Sequence, residues 1–340
     1  MKKLRVLALM HDYMVPPEDV RGLDVVNALW KTEFDVITTL AAAGHDIYTL
    51  GLADELGPIR QAMDEVRPHV VFNLMEAFHE VATFDQNVVS HLELLRLHYT
   101  GCNPRGLILS RDKALAKKVL TYDGIPVPAF AIFPIGREVQ RPARLAFPLI
   151  VKSLTQDASY GISQASVVTD DARLRERVVY IHERLGTDAI VEQYIEGREL
   201  YVGVIGNEQL HAYPVWEMKF ANMPEGAHRI ATERVKWSSA YQKKHGIHCG
   251  KARLQRAGME EYLQFLATRV FHLLQMNGYG RIDIRLDGNG QPWVLEANAN
   301  PQLAYGEDFA ESAHHDGMPY EALLQQILKV GLQWRADRAG

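Results

Sequence analysis

The run Arg281-Ile282-Asp283-Ile284-Arg285-Leu286, followed after a short gap by Trp293-Val294-Leu295-Glu296-Ala297-Asn298, constrains this chain more than any other stretch. Asn289-Gly290 between the halves is the strongest short-range signal for a two-residue type I′ hairpin turn. A hairpin centred there sets Ile282, Ile284 and Leu286 against Ala297, Leu295 and Trp293 on one side of the sheet. The other side pairs Asp283 with Glu296 and Arg281 with Asn298. Two carboxylates held about 5 Å apart at an effective dielectric of about 20 repel by roughly 3 kcal/mol. An ordinary cross-strand pair contributes only about 0.2–1 kcal/mol. The hairpin therefore needs a cation between the carboxylates or a proton on one of them. Asp283, Glu296 and Asn298, with Asn300 as a further candidate, offer only hard oxygen ligands, which select Mg2+ or Mn2+ over zinc. The alternative is a solvated polar face.

With 340 residues, 47% hydrophobic and 23% charged, the chain has the length for two or three domains and an ordinary globular composition. A net charge of −5 gives no basic surface for a nucleic-acid partner. Cys102 and Cys249 are isolated thiols without metal-binding spacing, which suits a reducing compartment. The His314-His315 pair, in an expected helix, reads as solvent-facing. The apolar run near the N-terminus, Leu4 to Met10, is too short for a signal-peptide core and reads as a buried first strand. No segment approaches a membrane span, so the expected location is the cytoplasm and no membrane partner is expected.

Strand patterns over Leu4 to Met10, Asp46 to Leu50 and His69 to Phe72 alternate with helical ones over Asp24 to Ala43 and Ile59 to Val66. This predicts a small parallel sheet of Rossmann-like pattern, and the glycine fingerprint of a dinucleotide site is missing from the loop after Met10. Ligands of such sheets sit beyond the carboxyl ends of the strands, so the loops after Met10 and Phe72 are expected near a substrate. A helix over Arg111 to Tyr122 leads to the break Gly124-Ile125-Pro126. Further strands are expected over Leu149 to Lys152, Ser166 to Val168, Ala189 to Ile195 and Leu200 to Ile205, with a helix over Ala172 to Leu185. From about Glu217 to Cys249 the chain reads as a long loop with fragments of structure, a candidate lid. Helices over Met259 to Asn277 and Pro319 to Leu332 flank the hairpin. The fold class is mixed α/β, divided at residues 1–105, 106–188 and 189–340.

Lys152 ends an apolar strand and immediately precedes the small-residue loop Thr155 to Ser163, which includes Ser159 and Gly161. An ammonium beside backbone N–H groups and serine hydroxyls is what nucleotide phosphates require. By itself such a lysine is more often surface decoration, and Lys113 has the same ambiguity; the downstream metal hairpin reverses the balance toward the phosphate reading. Glu192 lies inside a strand, and Glu199 follows a glycine turn. Backbone groups of Gln193 and Ile195 could meet an adenine edge and Glu199 the ribose hydroxyls, against a plain hairpin with solvated acids.

Together these features resemble the ATP-grasp superfamily, in the branch typified by D-alanine–D-alanine ligase, from about Val70 to Leu328. The matching motifs are Asp112-Lys113, Gly124-Ile125-Pro126, Phe147 to Lys152, Ser159 to Ser163, Glu192 to Glu199, and Arg281, Asp283, Glu296 and Asn298. Lys236 stands where that family's mobile loop brings a lysine to the γ-phosphate. The resemblance implies an ATP-grasp fold behind an N-terminal Rossmann-like domain, with ATP and Mg2+ as cofactors. It implies a carboxylate–amine ligase working through an acyl phosphate, with small-molecule carboxylate and amine partners and compatible with a homodimer. It places nucleotide contacts at Lys113, Lys152, Ser159, Gly161, Glu192, Gln193, Ile195, Glu199 and Lys236, and metal at Asp283, Glu296 and Asn298. Arg281 is the candidate for the tetrahedral oxyanion, with Lys236 and Ser159 also at the reacting groups. Both amino-acid pockets depart from the pattern: Pro16-Pro17-Glu18-Asp19 replaces a Gly-rich first loop, and Gln302 to Glu307 replaces a Ser-containing grip on the second D-alanine. D-Alanyl-D-alanine is therefore not the expected product. The alternatives are phosphorylation or modification of another carboxylate, and an ATP-binding regulator without turnover.

Overall fold

The computed structural model describes residues 2–156 and 159–336, so Asp157 and Ala158 of the small-residue loop lie outside the described residues. Near the N-terminus, β1 (Arg5–His11), α1 (Lys31–Ala42), β2 (Asp46–Leu52), α2 (Gly57–Val66) and β3 (Val70–Asn73) build a three-stranded parallel sheet in the order β2-β1-β3. Val6 to Met10 are buried at 0–1% exposure, as an apolar run covered on both faces requires. The first helix is shorter than expected: Asp24 caps a single 3-10 turn, Val25–Asn27, and α1 starts only at Lys31.

Next come α3 (Asp85–Leu94), α4 (Pro104–Arg111) and α5 (Lys113–Tyr122). The helix expected over Arg111 to Tyr122 is α5, beginning two residues later, with α4 a separate helix before it. Asp112 between them is extended, and its carboxylate accepts the Ala114 and Leu115 N–H groups at 2.9 Å, an N-cap that starts α5.

The strands β4 (Phe130–Phe133), β5 (Leu149–Ser153), β6 (Val167–Val168) and β7 (Ala189–Gln193) form an antiparallel sheet in the order β4-β7-β5-β6. Helix α6 (Asp171–Leu185) buries Leu174, Val178 and Ile181 in its core. β7 therefore pairs with strands on the N-terminal side of residue 188.

The largest sheet contains β8 (Gly197–Gly206), β9 (Leu210–Ala212), β10 (Trp216–Phe220), β11 (Ile247–Lys251), β12 (Gly278–Asp287) and β13 (Pro292–Ala299). Its order is β11-β10-β8-β12-β13, with β9 on β8. Between β10 and β11 lie α7 (Glu233–Trp237) and α8 (Ser239–His245). The stretch expected as one long loop is therefore two strands and two short helices. Helices of five and seven residues are too short to show a 3.6-residue period in sequence. Helix α9 (Met259–Leu273), which stops short of Asn277, packs Leu263, Leu266, Val270 and Phe271 into the cluster holding Ile282 and Ile284. Helices α10 (Asp308–His315) and α11 (Tyr320–Gln333) complete the fold, with His314 and His315 exposed. Among the described residues no helix is long and apolar enough to cross a membrane.

The β12–β13 hairpin pairs Arg281 with Asn298, Ile282 with Ala297 and Asp283 with Glu296 as expected. Beyond that point a β-bulge intervenes, and Ile284 faces Val294 and Leu286 faces Pro292 rather than Leu295 and Trp293. The turn is correspondingly one residue longer than a two-residue type I′ loop. Gly290 N–H donates to Asp287 O at 3.0 Å and Gly290 takes φ +79°, leaving Gly288 to Gly290 between the paired residues. The longer turn shifts the register by one residue, and the bulge at Leu295 shifts it back. That cancellation is why the polar pairs survive while the apolar ones move.

Candidate active site

Helix α5 turns two lysines, one helical turn apart, into the protein: Lys113 and Lys117 are 5% and 1% exposed. Lys113 Nζ donates to Gln156 O at 2.9 Å and lies 4.0 Å from Glu296 Oε2. Lys117 Nζ lies 3.3 Å from Glu192 Oε1 and donates to Leu295 O at 2.7 Å. The carbonyl of the bulged residue, left out of the ladder, thus has a buried ammonium as its partner. From β5, Lys152 Nζ donates to Glu192 Oε2 at 3.0 Å. Burial raises the Glu192 carboxyl, but the charges of Lys117 and Lys152 outweigh it and hold the group below its ordinary range. Burial pushes Lys117 down, with Glu192 opposing. Two ammonium groups on one carboxylate leave a net positive charge, which suits a phosphate chain.

In the loop before β6, Ser159 and Gly161 adopt positive φ, +61° and +73°. Gly161 N–H donates to Glu233 Oε2 at 3.3 Å, and Glu233 N–H donates to Ile162 O at 3.0 Å. Arg177 donates to Gly161 O. These contacts tie the loop to α7, which carries Lys236.

Asp283 lies in the middle of the large sheet at 3% exposure, with Arg281 two residues away on the same face. Arg281 Nε and Nη2 donate to the two Asp283 oxygens at 2.8 and 2.9 Å, and its guanidinium stacks 4.7 Å over the Tyr201 ring. The cation demanded by the facing carboxylates is therefore supplied in part by Arg281. This corrects the repulsion argument, because a metal is not required for the hairpin to fold. Burial pushes the Asp283 carboxyl up to about 6, with Arg281 and Lys236 opposing and Glu296 adding to it. Asp283, Glu296 and Asn298 still present an all-oxygen set, and Asn298 keeps a buried amide nitrogen with no hydrogen-bond partner among the described residues. An amide end that rotation can exchange for oxygen fits a hard divalent ion. Asn300 does not belong to the set: its Oδ1 accepts from Cys102 N–H at 2.8 Å.

Glu199 is 6% exposed and accepts from Arg285 Nη2 at 2.7 Å and Tyr201 OH at 2.9 Å, which fixes its carboxylate on β8. The Gln193 N–H donates to Ala129 O at 2.8 Å, so of its backbone groups the N–H is not available to a purine. Ile195, between β7 and β8, makes no backbone hydrogen bond among the described residues and keeps both groups for a ligand. Sequence reasoning missed Lys117, Tyr201 and Arg285. The four-residue spacing from Lys113 could have indicated Lys117.

On the side of the parallel sheet, Glu33 in the first turn of α1 is 6% exposed, and its Oε2 has no hydrogen-bond partner among the described residues. Burial, with Glu76 adding to it, raises its pKa to about 7. A folded-state value above the unfolded one gives stability that is present at low pH and lost as pH rises from about 4.5 through 7. Glu33→Gln keeps the shape of the protonated acid. It should stabilise the apo protein by about 3 kcal/mol at pH 8 and by a few tenths at pH 4. Urea midpoints at the two pH values check this, and an equal effect at both would show that Glu33 titrates normally.

The family model for the D-ala D-ala ligase C-terminus matches residues 119–329. An uncharacterized protein, y4sG, of Sinorhizobium fredii is 32% identical over 263 residues, 77% of this chain and 74% of that one. The D-alanine–D-alanine ligase of Bordetella petrii is 32% identical over 246 residues, 72% and 71% of the two chains. The crystal structure of D-alanine–D-alanine ligase from Bacillus anthracis complexed with ATP superposes with a TM-score of 0.73 at 19% identity, covering 97% of this chain and 98% of that one.

Proposed function

Since the chain belongs to the D-alanine–D-alanine ligase branch of the ATP-grasp ligases, we propose that it joins a carboxylate to an amine other than D-alanine through an acyl phosphate, releasing ADP and phosphate. The enzyme is an ATP-dependent ligase forming a C–N bond, with ATP and Mg2+ as its cofactors. The observation that carries the reading is that Lys113 lies 4.0 Å from Glu296 of the Asp283–Glu296 pair, beside the Lys117 and Lys152 ammonium groups gathered on Glu192. Cations for phosphates and oxygens for a metal stand within one side chain of each other.

In this reading Lys113 and Lys152, with the loop at Ser159, bind the phosphate chain, and Gly161 N–H, held by Glu233, ties that loop to α7. Glu192 fixes Lys152 rather than touching the nucleotide. Ile195 backbone groups and Glu199 take the nucleoside. Asp283, Glu296 and Asn298 would hold Mg2+, which when bound would neutralise charge on the transferring phosphoryl group. Arg281, once released from Asp283, stabilises the oxyanion formed when the amine attacks, and Lys236 closes from α7. The acidic character of residues 305–308, where the family grips its second D-alanine, is the reason for setting D-alanyl-D-alanine aside.

Turnover with ATP and pooled amino acids or amines should release ADP and phosphate in an amine-dependent way. Chromatography showing AMP and pyrophosphate, or phosphate release indifferent to added amine, would overturn the reading.

A further inference from the structure

Helix α1 serves two neighbours. Val36 and Leu40 pack with Val6, Val70 and Phe72 against the parallel sheet. Lys31 and Asp35, one helical turn apart on another side of the helix, form an ion pair whose side chains are only 20% and 16% exposed. The pair faces the loop before α10. Ala304 and Glu307 close a four-residue turn there: Glu307 N–H donates to Ala304 O at 3.1 Å, and Gly306 takes φ +88° at the third position, where the turn calls for glycine. Such a turn leaves the N–H and C=O of its second residue without partners of their own. Both groups of that residue, Tyr305, go to α1. Its N–H donates to Asp35 Oδ2 at 2.9 Å, and its C=O accepts from Lys31 Nζ at 3.1 Å. The Tyr305 side chain is 65% exposed, with its ring edge-on to Tyr320 at 5.6 Å, so what α1 grips is the backbone. Leu303 and Phe309 on either side are buried in the core, which leaves the tip of the loop to the ion pair. Glu307 and Asp308 follow the gripped residue directly, and both feel the charge of Arg281. Burial raises the Glu307 carboxyl and Asp308 adds to it, while Lys31 and Arg281 oppose.

Resting on the ligase reading above, we propose that Lys31 and Asp35 are positioning residues for the acceptor amine: their ion pair clamps the Tyr305 peptide groups and so fixes the loop of residues 302–307 beside Arg281. Neither side chain takes part in the chemistry. A helix of the parallel-sheet domain thereby sets the geometry of a loop that follows the last strand of the large sheet. When the clamp is lost, the loop tip moves and acceptor contacts weaken, because a misplacement of about 1 Å is enough to cost a large factor in a reaction that depends on alignment. The nucleotide site keeps its geometry, since Lys113, Lys152 and the Asp283–Glu296 pair stand on α5, β5 and the β12–β13 hairpin.

The test uses Lys31→Met and Asp35→Ala, which each remove one half of the clamp, and Lys31→Arg, which keeps a charged donor. Phosphate release from Mg-ATP is followed while the concentration of a fixed pool of amino acids and amines is varied. The apparent KM for the pool should rise about tenfold in Lys31→Met and Asp35→Ala, the factor that one lost hydrogen bond to a charged group can supply. The KM for ATP and the Mg-ATP melting shift should stay at the parental values, and Lys31→Arg should restore the pool KM to within about threefold of the parent. Independently of turnover, amide exchange over residues 303–309 should speed up about tenfold in Asp35→Ala, while α1 beyond the clamp keeps its protection. A pool KM unmoved in both variants, a rise of equal size in the KM for ATP, or unchanged exchange over residues 303–309 would overturn the clamp and leave the ligase standing. Phosphate release from the parent that no pool member stimulates would overturn the ligase reading, and amide exchange would still decide whether the ion pair holds the loop.

Discussion

Glu296→Gln lowers turnover by about 10²–10³-fold, the range for removing one electrostatic contact to a transition state, while the apo protein keeps its stability within about 1 kcal/mol. The substitution preserves shape and removes one negative charge opposite Asp283. Without ligand, that relieves part of a repulsion which Arg281 already screens, because both Asp283 oxygens are bound by its guanidinium. It also weakens the contact with Lys113, 4.0 Å away, so the two changes offset one another. With Mg-ATP the balance changes, since a metal ligand has lost its charge. Ligand-induced stabilisation follows the logarithm of occupancy and reaches about 2.7 kcal/mol at a hundredfold excess over Kd. The parent should therefore gain more melting temperature from Mg-ATP than the variant. Thermal scans with and without Mg-ATP, beside turnover assays, check both halves. Equal ligand shifts together with parental turnover would remove Glu296 from the metal set.

The parts of this site that were legible in the sequence are those written locally. Alternating Ile282, Asp283 and Ile284 around an Asn-Gly turn specifies a hairpin and its polar face, and the pairing of Asp283 with Glu296 follows. The errors come from features with no local signature. A bulge at Leu295 and a longer turn shift the register in opposite senses, and neither can be read from alternation alone. The Gln193 amide is occupied because β4 lies alongside β7, and β4 is a four-residue strand near two prolines. Arg281 and Asp283 read as separate functional groups, whereas two residues on one strand face are neighbours and, when buried, pair. Lys117 in an amphipathic helix looks like a solvated charge until the fold buries it.

The second large effect falls on that lysine. Lys117→Met should destabilise the protein by about 1–3 kcal/mol, the cost of leaving a buried carbonyl without its donor, because Lys152 still balances the charge of Glu192. Glu192 is 1% exposed and would keep only Lys152, at 3.0 Å. The carbonyl is that of Leu295, which would lose its donor at 2.7 Å. Methionine fills the volume, so cavity formation is not the cause of the loss. The functional consequence differs from that of removing a ligand to phosphate. Leu295 is the bulged residue that sets the register of Glu296 against Asp283, so a relaxed bulge carries Glu296 out of place. Lys117 is then a positioning residue, and its loss should weaken Mg-ATP stabilisation even at temperatures where the variant is fully folded. Lys117→Arg keeps the charge with a bulkier donor and should recover part of the stability and little of the activity. Urea unfolding and Mg-ATP melting shifts on the two variants measure this. A methionine variant within 1 kcal/mol of the parent, with an unchanged Mg-ATP shift, would show that neither Glu192 nor the bulge depends on Lys117.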